Sequence, residues 1–148
     1  MTIKIAIGNI EQAIAVEAQI PEFEQVGTYT KLAERLADKS HLILIAFDAD
    51  TPVAYKVGYP LSNQEFYSWL GGVIPSHRKR GIATLLRQEQ EIWVQEQGYR
   101  CISVKSMNRF PAMLQLLIDS GYQISGYIDK GTPDTSKICF TKSLNEHL

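Results

Sequence analysis

The sequence predicts a mixed α/β fold built around one sheet. Three observations predict it. Short segments of alternating or β-branched apolar residues are interleaved with segments whose apolar residues recur every three and four positions. The two kinds follow one another as β-α-α-β-β-β-α-β-α-β-β, an order suited to helices packed on a sheet. In the middle of that order a strand-like run, residues 66–74, passes through a short basic turn straight into an amphipathic helix. At 148 residues, the chain is read as a single domain spanning 1–148. A chain of that size buries roughly 68–70% of its unfolded surface.

Ile3, Ile5 and Ile7 alternate, giving a first strand with one buried face that Gly8 and Asn9 break. Ala13, Ile14 and Val16 fall in a helical segment running to Pro21. Tyr29, Leu32, Ala33 and Leu36 keep helical spacing, with Thr28 placed to cap them. Residues 41–48 are apolar and β-branched, and Asp48-Ala49-Asp50-Thr51-Pro52 has turn chemistry. Within 53–59, positions 53, 55, 57 and 59 share one face of the next strand. A loop over 60–64 leads into the strand at 66–74. The helix over 81–97 carries an apolar stripe of Ile82, Leu85, Leu86, Ile92 and Trp93, and Gly98 stops it. Another strand covers 101–105. Asn108-Arg109-Phe110-Pro111 opens a helix bearing Met113, Leu114, Leu116 and Leu117, which Gly121 ends. Strands over 122–129 and 137–141, joined by Gly131-Thr132-Pro133-Asp134, complete the order.

The composition is 45% hydrophobic and 21% charged, with a net charge of −1. A nucleic-acid binder usually carries a basic excess, so the basic run from His77 to Arg80 is the only footing for that reading and no nucleic-acid partner is expected. No apolar run reaches bilayer length and no signal-peptide pattern is present. A cytoplasmic protein without a membrane partner is expected. Cys101 and Cys139 sit in strand-like sequence and read as buried thiols. No Cys/His spacing matches a metal site, and none is expected.

The run Val73-Ile74-Pro75-Ser76-His77-Arg78-Lys79-Arg80-Gly81-Ile82-Ala83-Thr84 carries the most chemical information. A helix start leaves about four amides without internal partners, and its dipole favours negative charge. Gly81 and Ala83 keep the bend free of bulk, and three consecutive basic residues sit beside it. This is a site for a polyanion, most simply a pyrophosphate. Neither the P-loop nor the dinucleotide glycine pattern occurs.

Arg78-x-x-Gly81-x-Ala83, following a strand that ends in Val73-x-Pro75, resembles the acetyl-CoA signature of the GNAT superfamily of N-acetyltransferases, commonly written R/Q-x-x-G-x-G/A. The order of elements resembles that superfamily over nearly the whole chain. The resemblance implies the acyl-CoA N-acyltransferase fold, a central mixed, mostly antiparallel, splayed sheet flanked by helices. It implies acetyl-CoA as cosubstrate and acetyl transfer to a primary amine of a small molecule, peptide or protein, by direct attack in a ternary complex. On this basis, amides of Arg78, Lys79, Arg80, Gly81, Ile82, Ala83 and Thr84 wrap the pyrophosphate. The strand edge at Val73 and Ile74 pairs with the pantetheine amides. The sheet opens toward 101–105 with Gly71-Gly72 as the bulge, the Val73 N–H serves as oxyanion donor, and Asn108 faces the cofactor. A homodimer through the C-terminal strands is also compatible with the family.

The proton-handling residues depart from the family pattern. Many members carry a glutamate six residues before the valine, where this chain has Tyr67. Many carry a tyrosine four residues before the glycine closing the later helix, where this chain has Leu117, which cannot donate a proton. Two readings follow: an enzyme using other groups, or a non-catalytic acyl-CoA-binding sensor or interaction domain. For the enzyme, Glu65, Tyr67, Tyr59 or a water between them would take the amine proton. Alternation puts Tyr67 on one face with Trp69, Gly71 and Val73. Tyr59, Tyr67 and Trp69 are expected as pocket walls, with Glu22, Glu24 and Glu65 drawing in a small cationic amine.

Overall fold

The computed structural model describes residues 2–23 and 28–144. Its elements follow the order predicted: β1 (Ile3–Ile7), α1 (Ile10–Glu17), α2 (Tyr29–Leu36), β2 (Leu42–Asp48), β3 (Thr51–Pro60), β4 (Glu65–Val73), a 3₁₀ turn (Pro75–His77), α3 (Ile82–Glu96), β5 (Cys101–Ser106), α4 (Pro111–Asp119), β6 (Gln123–Ile128) and β7 (Lys137–Ser143). The strands form one sheet in the order β1-β2-β3-β4-β5-β7-β6. Only β4 and β5 run parallel; every other pairing is antiparallel. The exception has a simple origin. A parallel pair needs a crossover, and α3 supplies it.

Local chemistry sets the helix ends. Asn9 and Gln12 form a reciprocal capping box at the start of α1, with bonds of 2.9 and 3.0 Å. Thr28 caps α2 through the Lys31 amide at 3.1 Å. α1 ends at Glu17 rather than running to Pro21, and Ala18 caps it.

In β3, Val53, Ala54, Tyr55, Val57 and Tyr59 are all buried, because both faces of this central strand are covered, one by α1 and the other by α3. The stripe on α3 is corrected. Leu85 and Ile92 are 43% and 52% exposed, whereas Ile82, Leu86, Gln90 and Val94 face the sheet at a strict four-residue spacing. Gln90 is fully buried, and neither of its amide atoms has a protein partner. A polar residue at the centre of the buried stripe hid the true face from an apolar count.

The α3 side of the sheet carries a polar network centred on Glu91. Its carboxylate accepts from Arg87 at 3.0 Å, from the Tyr122 hydroxyl at 2.9 Å and from Lys142 at 3.0 Å. This ties α3 to β7 and to the segment after α4, with charge-assisted bonds that satisfy a shielded carboxylate. Lys56, on the same side, is held down to about 8 by burial; Arg87 reinforces that shift and Glu91 opposes it. The unfolded chain, with lysine at its ordinary 10.5, therefore binds more protons between pH 8 and 10. Stability should rise with pH across that window. Above pH 10 the trend should reverse, because burial raises the Tyr55, Tyr67 and Tyr122 hydroxyls and favours their neutral forms in the fold. We expect a gain of about 1–3 kcal/mol from pH 8 to 10 in urea titrations. Lys56→Met should remove the rise and leave the opposing decline set by the raised Cys101 thiol and tyrosine hydroxyls; an unchanged slope in that variant would refute the assignment.

Candidate functional site

The site begins with a counting mismatch in β4. Val57 faces Leu70 but Gly58 faces Ser68, so Trp69 is an extra residue on β4. The bulge lies at Trp69 and not at Gly71-Gly72 as expected. It shifts the face alternation by one. Tyr67 faces Tyr59 on the α2 side, while Gly72 faces Tyr55, whose hydroxyl donates to Glu17 of α1 at 2.6 Å. Gly71 instead lies against Lys56, on the α3 side. Tyr67 and Trp69 therefore do not share a face with Gly71 and Val73.

The same stretch parts from β5. Pairing between β4 and β5 runs from Glu65↔Cys101 to Ser68↔Val104 and stops there, although β4 continues to Val73 and β5 to Ser106. Facing residues in an antiparallel pair alternate between exchanging hydrogen bonds and not. The Ile74 amide donates to the Val53 carbonyl at 3.0 Å. The phase that follows leaves the N–H and C=O groups of Gly71 and Val73 pointing away from β3, into the gap toward β5. Ile74, expected to offer its amide to a ligand, has it engaged within the sheet. Gly71 was not among the expected edge residues; the signal for it is the hydrogen-bond phase, which only the register reveals.

The gap leads to the turn. Lys79 and Gly81 both adopt left-handed backbone, with φ of 61° and 81°. A non-glycine residue there costs about 1–2 kcal/mol, which marks Lys79 as locally strained. A side chain at Gly81 would meet nothing within 4 Å, so its requirement for glycine is conformational. No side chain caps α3. The first amide of its opening turn to find a backbone acceptor is Leu85, bonded to Gly81 at 3.1 Å. The amides of Ile82, Ala83 and Thr84 are left for an anion. They line, with Val73, His77, Arg78, Lys79 and Gly81, a cavity of about 200 Å³. This is the arrangement a pyrophosphate requires, and the residues present fit an acyl-CoA.

The basic residues of the turn divide their work. His77 Nε2 bonds to Asp48 Oδ2 at 2.8 Å, anchoring the turn to the β2–β3 hairpin. Arg78 lines the cavity but commits its guanidinium to protein partners: its Nε donates to the Val73 carbonyl at 3.1 Å, and its two terminal nitrogens clasp Glu22 at 2.6 and 2.8 Å. These bonds hold the Glu22 carboxyl below its ordinary range. Lys79 and Arg80 stay exposed. Asn108 is exposed as well, and its side-chain amide donates to the Pro133 carbonyl in the β6–β7 turn at 3.2 Å. That donor is engaged away from the cavity.

On the opposite face, Tyr59 stacks edge-on against Tyr67 and Trp69, with centroids 5.6 and 5.7 Å apart. These three do come together as expected. The expected acids do not join them. Glu22 is held by Arg78, and Glu24 lies outside the described residues. Glu65 pairs with Cys101 at the far end of β4, about 25 Å from Val73 by strand rise. Burial, reinforced by Tyr59, pushes the Tyr67 hydroxyl up to about 12, so it stays protonated at neutral pH. Leu117 is buried in α4.

The profile of the acetyltransferase (GNAT) family matches residues 9–116. The chain belongs to that family. No curated protein is similar enough in sequence to count as a match. Among solved structures, this GNAT chain is similar to Ard1 from Thermoplasma volcanium, with a TM-score of 0.86 and 15% identity over 99% of this chain and 100% of the other. It is similar to the PaiA N-acetyltransferase from Thermoplasma acidophilum in complex with coenzyme A, with a TM-score of 0.75 and 15% identity over 97% and 99%. It is also similar to yncA from Salmonella typhimurium with acetyl-CoA, with a TM-score of 0.74 and 11% identity over 98% and 95%. At these identities the likeness is one of fold. Among the described residues no helix is long and apolar enough to cross a membrane.

If the α3 terminus is the anion site, inorganic pyrophosphate should shift the amide resonances of Ile82, Ala83 and Thr84 first in an NMR titration. Shifts confined to other surfaces would place the anion elsewhere.

Proposed function

We propose that this GNAT protein transfers the acetyl group of acetyl-CoA to a primary amine of a small molecule or peptide. One observation carries the reading: unpaired amides run from the parted edge of β4, at Gly71 and Val73, to the uncapped start of α3. In this reading the Ile82, Ala83 and Thr84 amides bind the pyrophosphate, and Lys79 and Arg80 add charge. The edge groups of Gly71 and Val73 align the extended arm as an added strand would. Acetyl-CoA, when bound, supplies the acyl group as a thioester. The Val73 N–H donates to the acyl oxygen as negative charge builds there; a placed donor of this kind contributes about 3–4 kcal/mol. Holding both reactants together contributes about 7–11 kcal/mol.

Proton transfer falls to solvent in this proposal. Glu65 is too distant, and a phenol pushed up to about 12 donates but does not take a proton at neutral pH. A water at the exposed end of the gap takes the amine proton. A departing thiolate with a pKa near 8.5 needs no partner acid, which fits a family member with Leu117 at the usual tyrosine position.

A second reading has its own observation. α4 offers no hydroxyl at all, its sequence being PAMLQLLID, which suits an acyl-CoA sensor without turnover. Release of free thiol from acetyl-CoA over an amine panel separates the two: tight binding with no amine acetylated would favour the sensor. Gly81→Glu should weaken acetyl-CoA tenfold or more in calorimetry, well beyond the few degrees of melting temperature that its left-handed backbone strain costs, and undiminished affinity would refute the placement. Tyr67→Phe should keep kcat within about threefold and leave the pH–rate profile intact. A much larger loss with an altered profile would return the proton to the phenol.

A further inference from the structure

We infer that the acceptor amine carries a carboxylate, seated by Arg35, Lys39 and Lys105 around the Tyr59, Tyr67 and Trp69 rings. The inference rests on the acetyl-transfer reading above and names the substrate class of that site. It reverses the cationic amine that the sequence suggested.

Three cations surround the aromatic trio. The Arg35 guanidinium lies 4.5 Å from the Trp69 centroid, Lys39 Nζ 5.4 Å from that of Tyr59, and Lys105 Nζ 5.3 Å from that of Tyr67. Among the described residues no carboxylate lies within ion-pair distance of any of them. Their donors are largely unspent. Arg35 gives one N–H to the Tyr59 hydroxyl at 3.1 Å, Lys39 one to the Arg35 carbonyl at 2.7 Å, and Lys105 makes no hydrogen bond within the described chain. Rings hold the cations in place through their faces and leave N–H groups available to an incoming anion.

The position is suited to an acceptor. Tyr67 pairs with Ser103 in the last stretch where β4 and β5 remain joined. Lys105 lies two residues further along the same face of β5, where the strands have parted. The Ser103 hydroxyl is buried there without a partner, a polar atom of the kind a ligand satisfies. The electrostatics also serve attack. Nearby positive charge lowers the pKa of an ammonium group, releasing the neutral amine, while the carboxylate keeps the molecule attracted.

The test compares acceptors of matched length with acetyl-CoA in excess: 4-aminobutyrate, butylamine and putrescine, and tripeptides with Asp, Ala or Lys at the second position. The carboxylate member of at least one series should exceed its cationic counterpart tenfold in kcat/KM, and which series responds tells a free amino acid from a peptide. Lys105→Gln and Arg35→Gln should each lower the preference for carboxylate over neutral acceptor about fivefold to tenfold. Lys105 is exposed, so its variant reports even if Arg35→Gln misfolds. A preference for putrescine or the lysine peptide, or a preference unmoved by either variant, would overturn the inference. If acetyl-CoA binds but no amine is acetylated, the transfer reading fails separately. Quenching of Trp69 fluorescence by 4-acetamidobutyrate, weakened in Lys105→Gln, would then uphold the carboxylate site, and its absence would reject it.

Discussion

A sheet that stops pairing in its own middle is the constraint on which the site depends. β4 is an interior strand, yet past Ser68 it has a partner on one side only. Backbone groups abandoned inside a protein cost about 1–3 kcal/mol each, so such a gap survives only where something else meets those groups. Arg78 meets one of them, the Val73 carbonyl; the Gly71 and Val73 amides are left to a ligand. The extra residue at Trp69 bends β4 where the parting begins, and a bulge is a fitting device because it breaks the ladder and increases twist together. β7 pairs with β5 along the whole of 101–106, so β5 stays ordered while β4 leaves it. Opening the sheet and presenting amides are thus one structural event.

Most of the order of elements was legible because it rests on local chemistry. The Thr28 cap, Gly98 after α3 and Pro111 at the start of α4 act within a few residues and fold as read; Ile3, Ile5 and Ile7 form their strand, but Ile7 is 70% exposed rather than on a buried face. The turn at 78–84 was legible for the same reason. What failed required knowledge of partners. Gly71-Gly72 looked like the bulge because glycine often marks one, but a bulge is a mismatch between two strands, and the register puts it at Trp69. The face shared by Tyr67, Trp69, Gly71 and Val73 then dissolved as a consequence. Gln90 misled in another way: a buried glutamine breaks an apolar stripe, so the count favoured Leu85 and Ile92, which face solvent.

Charge was the least legible property. A run of basic residues reads as one patch, but its members serve different ends. His77 binds Asp48, Arg78 binds Glu22, and only Lys79 and Arg80 are exposed. In the proposed reading the grip on an anion therefore falls mainly to main-chain amides, whose direction is fixed by the helix, rather than to side chains that would have to be ordered on binding. Similarly, glutamates scattered in sequence suggested an acidic acceptor pocket. Folding draws Glu22 to Arg78, strands Glu65 beside Cys101, and brings Arg35, Lys39 and Lys105 to the rings instead. Sequence counts charges; the register and the helix faces decide which of them share a surface.

The Glu22–Arg78 clasp shows how little of this concerns stability. Its partners are 47% and 36% exposed, and an ion pair in that setting contributes little to folding. Its geometry is nonetheless bidentate, with a third bond from the same guanidinium to Val73. One side chain thereby joins the segment after α1, the parted edge of β4 and the turn before α3. That segment also covers the sheet beside the gap, since any side chain at Gly72 would run into Ile20 and Phe23. A carboxyl held below its ordinary range keeps the clasp closed at neutral pH and releases it only as pH falls through and below that range. The pair is best understood as a positional link: it fixes where the cover lies relative to the amides, so that the two halves of a site built on different faces of the sheet keep one geometry.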